Sequence, residues 1–199
     1  MASALSEKPV PAPPPFPIAR FSVEQYHRMI ESGAFTEDDR LELLEGWVVR
    51  KMAKGPAHEY TTGQTDALLR ERLPAGWHVR NQAPITLHES EPEPDLSVVR
   101  GSRSDYRHQH PRAGDIALVV EVSDTTLTTD RLKSRTYAAE GIPEYWIVNL
   151  AERCVEVHRR PTTSGEGYGD RKVFGQGAEI PFVVDGHDCG RVAIADLLP

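Results

Sequence analysis

The stretch IALVVEV at residues 116–122 is the most apolar segment of the chain, and a single acid, Glu121, interrupts it. Alternation along a β-strand places Val119 and Glu121 on one face and Val120 and Val122 on the other. Because both faces are apolar, we expect this strand to lie inside a sheet that is covered on both sides. A carboxylate buried there is costly unless it is paired or metal-bound. Taken alone, Glu121 is more simply a strand-end residue that reaches solvent or binds a neighbouring arginine.

The segments on either side of this strand alternate between helical and extended patterns. Ser22 as N-cap and Gly33 as stop signal predict a first helix over 21–33, and Thr128 or Thr129 is expected to introduce a later one. Further helices are predicted over 56–73 and 130–140, and loops over 100–114 and 162–170. Strands are predicted over 47–49, 77–82, 85–87, 96–99, 145–150 and 154–158. This order predicts an α/β (α+β) fold with a mixed β-sheet flanked by helices.

Length and composition predict one globular domain behind a short tail. At 199 residues the chain is long enough for one well-buried domain and too short for two. Residues 1–20 are rich in proline and small side chains, so we expect a flexible tail followed by a single domain over 21–199. No apolar run reaches the ~20 residues of a membrane helix, and none forms a signal-peptide core. We therefore expect a cytoplasmic protein that does not enter a membrane.

The charge distribution gives mixed evidence on a nucleic-acid partner. A net charge of −7 is unusual for a protein that coats nucleic acid by neutralising phosphates. The charge is uneven, however, since the stretch 100–112 carries four arginines, including Arg103 and Arg107, against one aspartate. This basic loop could hold substrate phosphates or could be a solvated connection, and the sequence favours neither.

Two acids in consecutive predicted strands are the candidate metal ligands. Asp95 follows Pro94 and opens the strand over 96–99, while Glu121 lies in the next strand along the chain. Pro-Asp alone is also a common turn pairing. Carboxylates at neighbouring strand ends can nevertheless converge on one cation, and hard oxygen ligands suit Mg²⁺ or Mn²⁺ rather than zinc.

Lys133 is the candidate cationic partner of these acids. It shares a helix face with Asp130, Ser134 and Tyr137 by i, i+3 and i+4 spacing. A short loop connects the strand of Glu121 to that helix, so the first helical turns should lie near the strand end. The alternative is a surface lysine paired with Asp130, and for Lys133 alone that alternative is the simpler one.

In combination, these motifs resemble the Uma-type restriction endonuclease family within the PD-(D/E)XK nuclease superfamily. The resemblance rests on the ordered series EPDL at 93–96, LVVEVS at 118–123, Asp130-x-x-Lys133, Tyr137 and GIPEYW at 141–146. The stretch LELLEG at 41–46, followed by His58, is similar to the N-terminal signature of the family. The resemblance covers roughly residues 21–198.

The resemblance implies roles for several of these residues. Asp95 and Glu121 would bind Mg²⁺ together with the backbone carbonyl of Val122. Glu42 would be an acid contributed by the first core helix. His58 would contact substrate, support the metal site or simply pack.

The chain departs from the superfamily at one position. The usual Glu-x-Lys pattern places a lysine two residues after the acid, where this chain has Ser123. The resemblance then implies that Lys133 supplies the amine from the following helix.

The sequence thus predicts a metal-dependent endonuclease that hydrolyses phosphodiester bonds, most simply in DNA, with Mg²⁺ or Mn²⁺ as cofactor. One alternative is a nuclease-like module that binds nucleic acid or protein without cutting. Another is a hydrolase of smaller phosphoesters. A homodimer is a further expectation, because nuclease folds of this kind often dimerise.

We predict that a chain beginning at Phe21 has the same melting temperature and metal-dependent activity as the full chain. The prolines of residues 1–20 lack backbone donors, and the segment has too few large apolar residues to form a core. Thermal melts of the two proteins check this. A large loss of stability on truncation would show that the tail packs on the domain or joins two subunits.

Overall fold

The computed structural model describes residues 17–162 and 166–199, apart from the side chain of Glu37. Most of the predicted tail, residues 1–16, lies outside these ranges. Residues 17–20 are exposed and lead into the first helix without regular secondary structure. The division of the chain into a tail and one domain stays a prediction.

The described residues form helices α1 (Val23–Glu31), α2 (Pro56–Arg72) and α3 (Leu127–Ala139). The strands are β1 (Leu41–Leu44), β2 (Trp47–Arg50), β3 (Trp77–Asn81), β4 (Leu96–Arg100), β5 (Ile116–Ser123), β6 (Glu144–Asn149), β7 (Cys154–Thr162), β8 (Gly167–Gly175), β9 (Glu179–Val184) and β10 (His187–Ala193). None of the helices in the described ranges has both the length and the apolar character needed to cross a membrane.

Six strands form the central sheet, in the order β3-β4-β5-β6-β7-β8. Strands β5 and β6 are parallel, whereas the other neighbouring pairs are antiparallel. A parallel pair needs a crossover connection, and α3 provides it on one face of the sheet. On that face, Val119 packs in one cluster with Tyr137, Tyr145 and Ile147. The predicted mixed sheet flanked by helices is therefore confirmed.

The opposite face of the sheet is covered by α2 and by the hairpin of β9 and β10. Leu69 from α2 and Phe182 from β9 share a cluster with Val120 and Trp146 of the sheet. All eight residues of β5 are buried. The strand is thus covered on both faces, as its apolar composition predicts.

The register of β4 and β5 determines where the candidate acids lie. Leu96 pairs with Val120 in the antiparallel ladder, so the preceding residue, Asp95, lies beside Glu121. The chain leaves β5 at Ser123 and enters α3 at Leu127, so the first turns of α3 lie over the same end of the sheet. The basic loop over 100–112 begins at the other end of β4, about 16 Å away along five extended residues.

Several element boundaries differ from the sequence prediction. The predicted strand over 85–87 makes only one isolated bridge, Thr86 to Arg112, because backbone donors of this segment bond to carbonyls at 90 and 92. Helix α3 begins at Leu127 with Thr126 as N-cap, so the prediction of Thr128 or Thr129 is wrong. The predicted loop over 162–170 is largely strand, since β7 and β8 pair as far as Thr162 and Gly167, with 163–165 outside the described residues.

Candidate active site

The carboxylates of Asp95 and Glu121 lie side by side and almost fully buried, with 3% and 4% of their residue surfaces exposed. The backbone N–H of Asp95 donates to Glu121 Oε2 at 3.3 Å, and that of Val122 donates to Asp95 Oδ2 at 2.8 Å. Backbone donors of β5 and of the residue that leads into β4 therefore orient both side chains. The structure brings together the two acids that the sequence singles out.

Lys133 reaches the same point from the second turn of α3. Its Nζ lies 3.0 Å from Glu121 Oε1 and 3.1 Å from Glu42 Oε1. The Tyr137 hydroxyl also donates to Glu121 Oε1, at 3.1 Å. Lys133 is only 8% exposed, so it is a buried lysine and not the surface residue of the alternative interpretation.

Glu42 approaches Lys133 from a strand, so the expectation that a core helix carries this acid is wrong. Strands β1 and β2 form a hairpin whose two turn residues, Glu45 and Gly46, have φ values of 50° and 79°. Positive φ at both positions is typical of the type I′ turn, which matches the twist of paired strands. Glu42 Oε2 accepts a hydrogen bond from the backbone N–H of Glu93 at 3.1 Å, which ties the hairpin to the segment before Asp95.

Two cationic or polar side chains surround Asp95. His58, in the first turn of α2, places Nε2 3.0 Å from Asp95 Oδ2. Lys54, in the connection between β2 and α2, places Nζ 2.7 Å from Asp95 Oδ1. The sequence points to His58 but not to Lys54. The only sequence feature that could have indicated Lys54 is its position two residues before Pro56, which begins the helix that carries His58.

The pKa values of the two adjacent carboxylates are shifted in opposite directions, although burial disfavours the charged form of both. Burial raises the pKa of Glu121 to about 8, with Lys133 opposing the shift and the charge of Asp95 adding to it. Burial also disfavours the charged form of Asp95, but the hydrogen bond from His58 and the charge of Lys54 outweigh it and lower the pKa of Asp95. One acid of the pair thus ionises readily, and the other resists ionisation until more positive charge is supplied.

The charge of Lys133 is stabilised by its acidic neighbours. Burial alone would lower the pKa of this lysine, but the carboxylates of Glu121 and Glu42 raise it. A permanently charged ammonium group therefore lies at the end of the sheet, next to the carboxylate pair.

An open pocket connects this cluster to solvent. It is lined by the connection between β2 and α2, by Asp95, Glu121 and Val122, and by the start of α3. Neither Arg103 nor Arg107 is among the residues that line it. Arg107 lines a separate depression instead, so the structure does not bring these two arginines together with the acids.

The oxygen donors of the pocket suit a hard divalent cation. Asp95, Glu121 and Val122 all line the pocket. Mg²⁺ is typically held by one or two carboxylates and keeps several of its waters. Within 17–162 and 166–199, no group of three or more His, Cys, Asp or Glu side chains is arranged to hold a metal ion. A cation here would therefore rest on two carboxylates and water rather than in an all-protein cage.

Comparison with known proteins identifies the family. A family model described as "Uma2: Putative restriction endonuclease" matches residues 23–184. The chain belongs to this family. The resemblance predicted from the sequence is therefore confirmed, and membership in the Uma2 family supports a nuclease-like function.

A solved structure supports the fold assignment. It is the crystal structure of "a putative nuclease belonging to DUF820 from Anabaena variabilis ATCC 29413". The match has a TM-score of 0.65 at 16% sequence identity and covers 89% of this chain and 97% of that one. At this identity the likeness shows a shared fold. No curated protein matches the chain.

We predict that Glu121 makes the metal-free protein less stable as pH rises. Its pKa is about 8 in the folded protein against an ordinary 4.5, so the unfolded state releases this proton first. The folded state therefore loses stability between about pH 4.5 and 8, by at most about 1.4 kcal/mol per pH unit. In EDTA, the free energy of unfolding of the wild type minus that of Glu121→Gln should decrease as pH rises from about 4.5 to about 8. A difference that does not change with pH would contradict the raised pKa.

Proposed function

We propose that this protein is a divalent-metal-dependent endonuclease that hydrolyses phosphodiester bonds, most simply those of DNA, with Mg²⁺ or Mn²⁺ as cofactor. The observation that carries the proposal is the buried pair of Asp95 and Glu121, with the Lys133 ammonium 3.0 Å from Glu121 Oε1. Phosphodiester hydrolysis needs ligands for a cation and a fixed positive charge near the phosphoryl oxygens. In this proposal Asp95 and Glu121 would be the ligands and Lys133 the fixed charge, and membership in the Uma2 family supports the same reaction class.

In the proposed mechanism, Asp95 and Glu121 would hold the cation together with the backbone carbonyl of Val122. When bound, the cation supplies Lewis-acid polarisation of a phosphoryl oxygen and lowers the pKa of a water molecule. His58 acts on this arrangement through Asp95, because its Nε2 lies 3.0 Å from Oδ2 and fixes the direction of the remaining oxygen, Oδ1. We therefore assign His58 as a positioning residue.

Lys133 supplies the positive charge that the reaction requires. An ammonium group has three N–H donors, and two of them point to Glu121 and Glu42. The third can donate to a phosphoryl oxygen or to the attacking water. The attacking water gives up a proton to solvent and its oxygen bonds to phosphorus as the bond to the leaving oxygen breaks. The leaving oxygen takes a proton from solvent, and Lys133 stabilises the negative charge that develops on the phosphoryl group. Glu42 acts through Lys133, by holding its Nζ in place.

Substrate contacts outside the pocket belong to the same proposal. Arg103 and Arg107 lie beyond the far end of β4, so we assign them to phosphates remote from the scissile bond. The cytoplasmic location and the homodimer expected from the sequence stay predictions.

We predict that cleavage depends on the divalent cation and on Asp95. The wild type should cleave at least one of plasmid, single-stranded DNA or RNA in Mn²⁺ and none of them in EDTA. Saturating Mn²⁺ at about 100 times its dissociation constant should stabilise the native protein by ~2.7 kcal/mol. Asp95→Asn should abolish both the cleavage and the rise in melting temperature.

Asp188→Asn is the matched control, because Asp188 is exposed on β10. It should retain both responses. Binding of nucleic acid without cleavage would favour the non-cleaving module, and hydrolysis of nucleotides alone would favour a small phosphoester. An equal metal response in the wild type and Asp95→Asn would remove Asp95 from the metal site.

We predict that Lys133→Met lowers turnover by ~10²–10³, the effect expected when one electrostatic contact to the transition state is removed. The Mn²⁺-induced rise in melting temperature should remain. Methionine keeps an unbranched side chain, one atom shorter than that of lysine, but removes the charge. Lys133→Arg should rescue turnover only in part, since a planar guanidinium does not reproduce a compact ammonium.

Arg135→Met on the exposed side of α3 is the control for this variant and should cleave normally. Near-normal cleavage by folded Lys133→Met would show that the amine does not act in the reaction.

A further inference from the structure

Lys54 occupies the carboxylate oxygen of Asp95 that the proposed chemistry needs. The other oxygen, Oδ2, is engaged by the backbone N–H of Val122 at 2.8 Å and by His58 Nε2 at 3.0 Å. Both of these donors belong to regular elements, β5 and α2. Oδ1 contacts only the ammonium group of Lys54 among the described polar contacts, at 2.7 Å. A cation held by Asp95 and Glu121 would therefore compete with this ammonium for Oδ1.

The two lysines of the pocket differ in how firmly they are held. Lys133 belongs to α3 and lies between Glu121 and Glu42, with 9% of its side chain exposed. Lys54 belongs to a connection without regular secondary structure, contacts one carboxylate and has 22% of its side chain exposed. Of the two, Lys54 is the one that a bound cation can displace.

A place for the displaced ammonium adjoins the pocket. Lys54 lines a second cleft as well, together with Arg40, Gln82, Lys51 and the acids Glu91 and Glu93. Lys51 is paired with Glu93 at 2.5 Å, so Arg40 and Gln82 are the groups there that can bind phosphate oxygens beside a displaced Lys54. Because Lys54 belongs to both spaces, rotation of its side chain moves the charge from Asp95 to the neighbouring cleft.

We propose that Lys54 neutralises Asp95 in the metal-free protein and is displaced by the divalent cation, after which it binds a substrate phosphate in the adjoining cleft. The inference rests on the proposed function, because it assumes a cation on Asp95 and a phosphodiester substrate. An ammonium and a divalent cation repel each other and compete for the same oxygen, so each disfavours the binding of the other. Substrate and cation, in contrast, favour each other, since the charge released from Asp95 becomes available to phosphate.

Lys54→Met is the variant that tests this exchange, and Lys51→Met is its matched control. Lys51 lies in the same connection and loses the same charge, but its Nζ contacts Glu93 and not Asp95. Titration calorimetry with Mn²⁺ alone, at pH 8 and without nucleic acid, should show about tenfold tighter binding for Lys54→Met, as expected when a competing ion pair is lost. Lys51→Met should stay within about twofold of the wild type.

Binding of a labelled DNA duplex with Ca²⁺ in place of Mn²⁺ gives the second measurement. Lys54→Met should bind the duplex more weakly, and the slope of log Kd against log salt should decrease by about one. An exchanging lysine predicts opposite changes in the two affinities, and the comparison with Lys51→Met separates this effect from the general loss of one positive charge near the pocket. Lys54→Arg, which keeps the charge, should resemble the wild type in Mn²⁺ affinity. Lys54→Gln, which also removes the charge, replaces Lys54→Met if that variant does not fold.

Weaker or unchanged Mn²⁺ binding by Lys54→Met would overturn the inference, as would an equal gain in Lys51→Met or an unchanged salt slope. These outcomes are separable from failure of the proposed function. A wild type that binds no Mn²⁺ and cleaves nothing would refute the function itself, whereas a wild type that does both, without tighter metal binding in Lys54→Met, would refute the exchange alone.

Discussion

The free-energy cost of burying negative charge organises one end of the central sheet. Glu42, Asp95, Glu121 and Asp130 are all at least nine-tenths buried there. Carboxylates removed from water are strongly unfavourable unless cations or hydrogen-bond donors compensate them. Each element that meets this end of the sheet contributes to that compensation: β5 through its backbone, α2 through a histidine, α3 through a lysine, and the connection before α2 through a second lysine.

Such an arrangement is a poor way to obtain stability. Replacing a buried ionic cluster by apolar residues of similar volume is often neutral or stabilising. The cluster also leaves Glu121 with its pKa raised to about 8, which means that the folded protein still lacks positive charge at this point. Both facts are accounted for if the cluster exists to bind a cation beside Lys133. The fold then provides an incomplete site, which the cofactor completes.

The sequence predicts the parts of the site that follow from local pattern. Asp95 and Glu121 stand at strand ends whose order is readable from apolar periodicity, and α3 follows directly, so Lys133 could be placed near them. Glu42 and Lys54 could not be placed in this way, because they meet their partners across 91 and 41 residues of the chain. Contacts between residues so far apart in the chain depend on how the β1–β2 hairpin packs in the folded protein, which local sequence pattern does not reveal. The expectation that a helix carries Glu42 is wrong for the same reason.

Anomalous scattering from crystals soaked in Mn²⁺ would locate a cation at the Asp95–Glu121 pair. A metal site on this pair should give one strong anomalous peak at the end of the sheet, within about 2.1 Å of an oxygen from each of Asp95 and Glu121, the usual length for a small hard cation. The same soak of Asp95→Asn crystals should show no peak there. A peak bound by other side chains, or none in the wild type at saturating Mn²⁺, would contradict a metal site built on this pair.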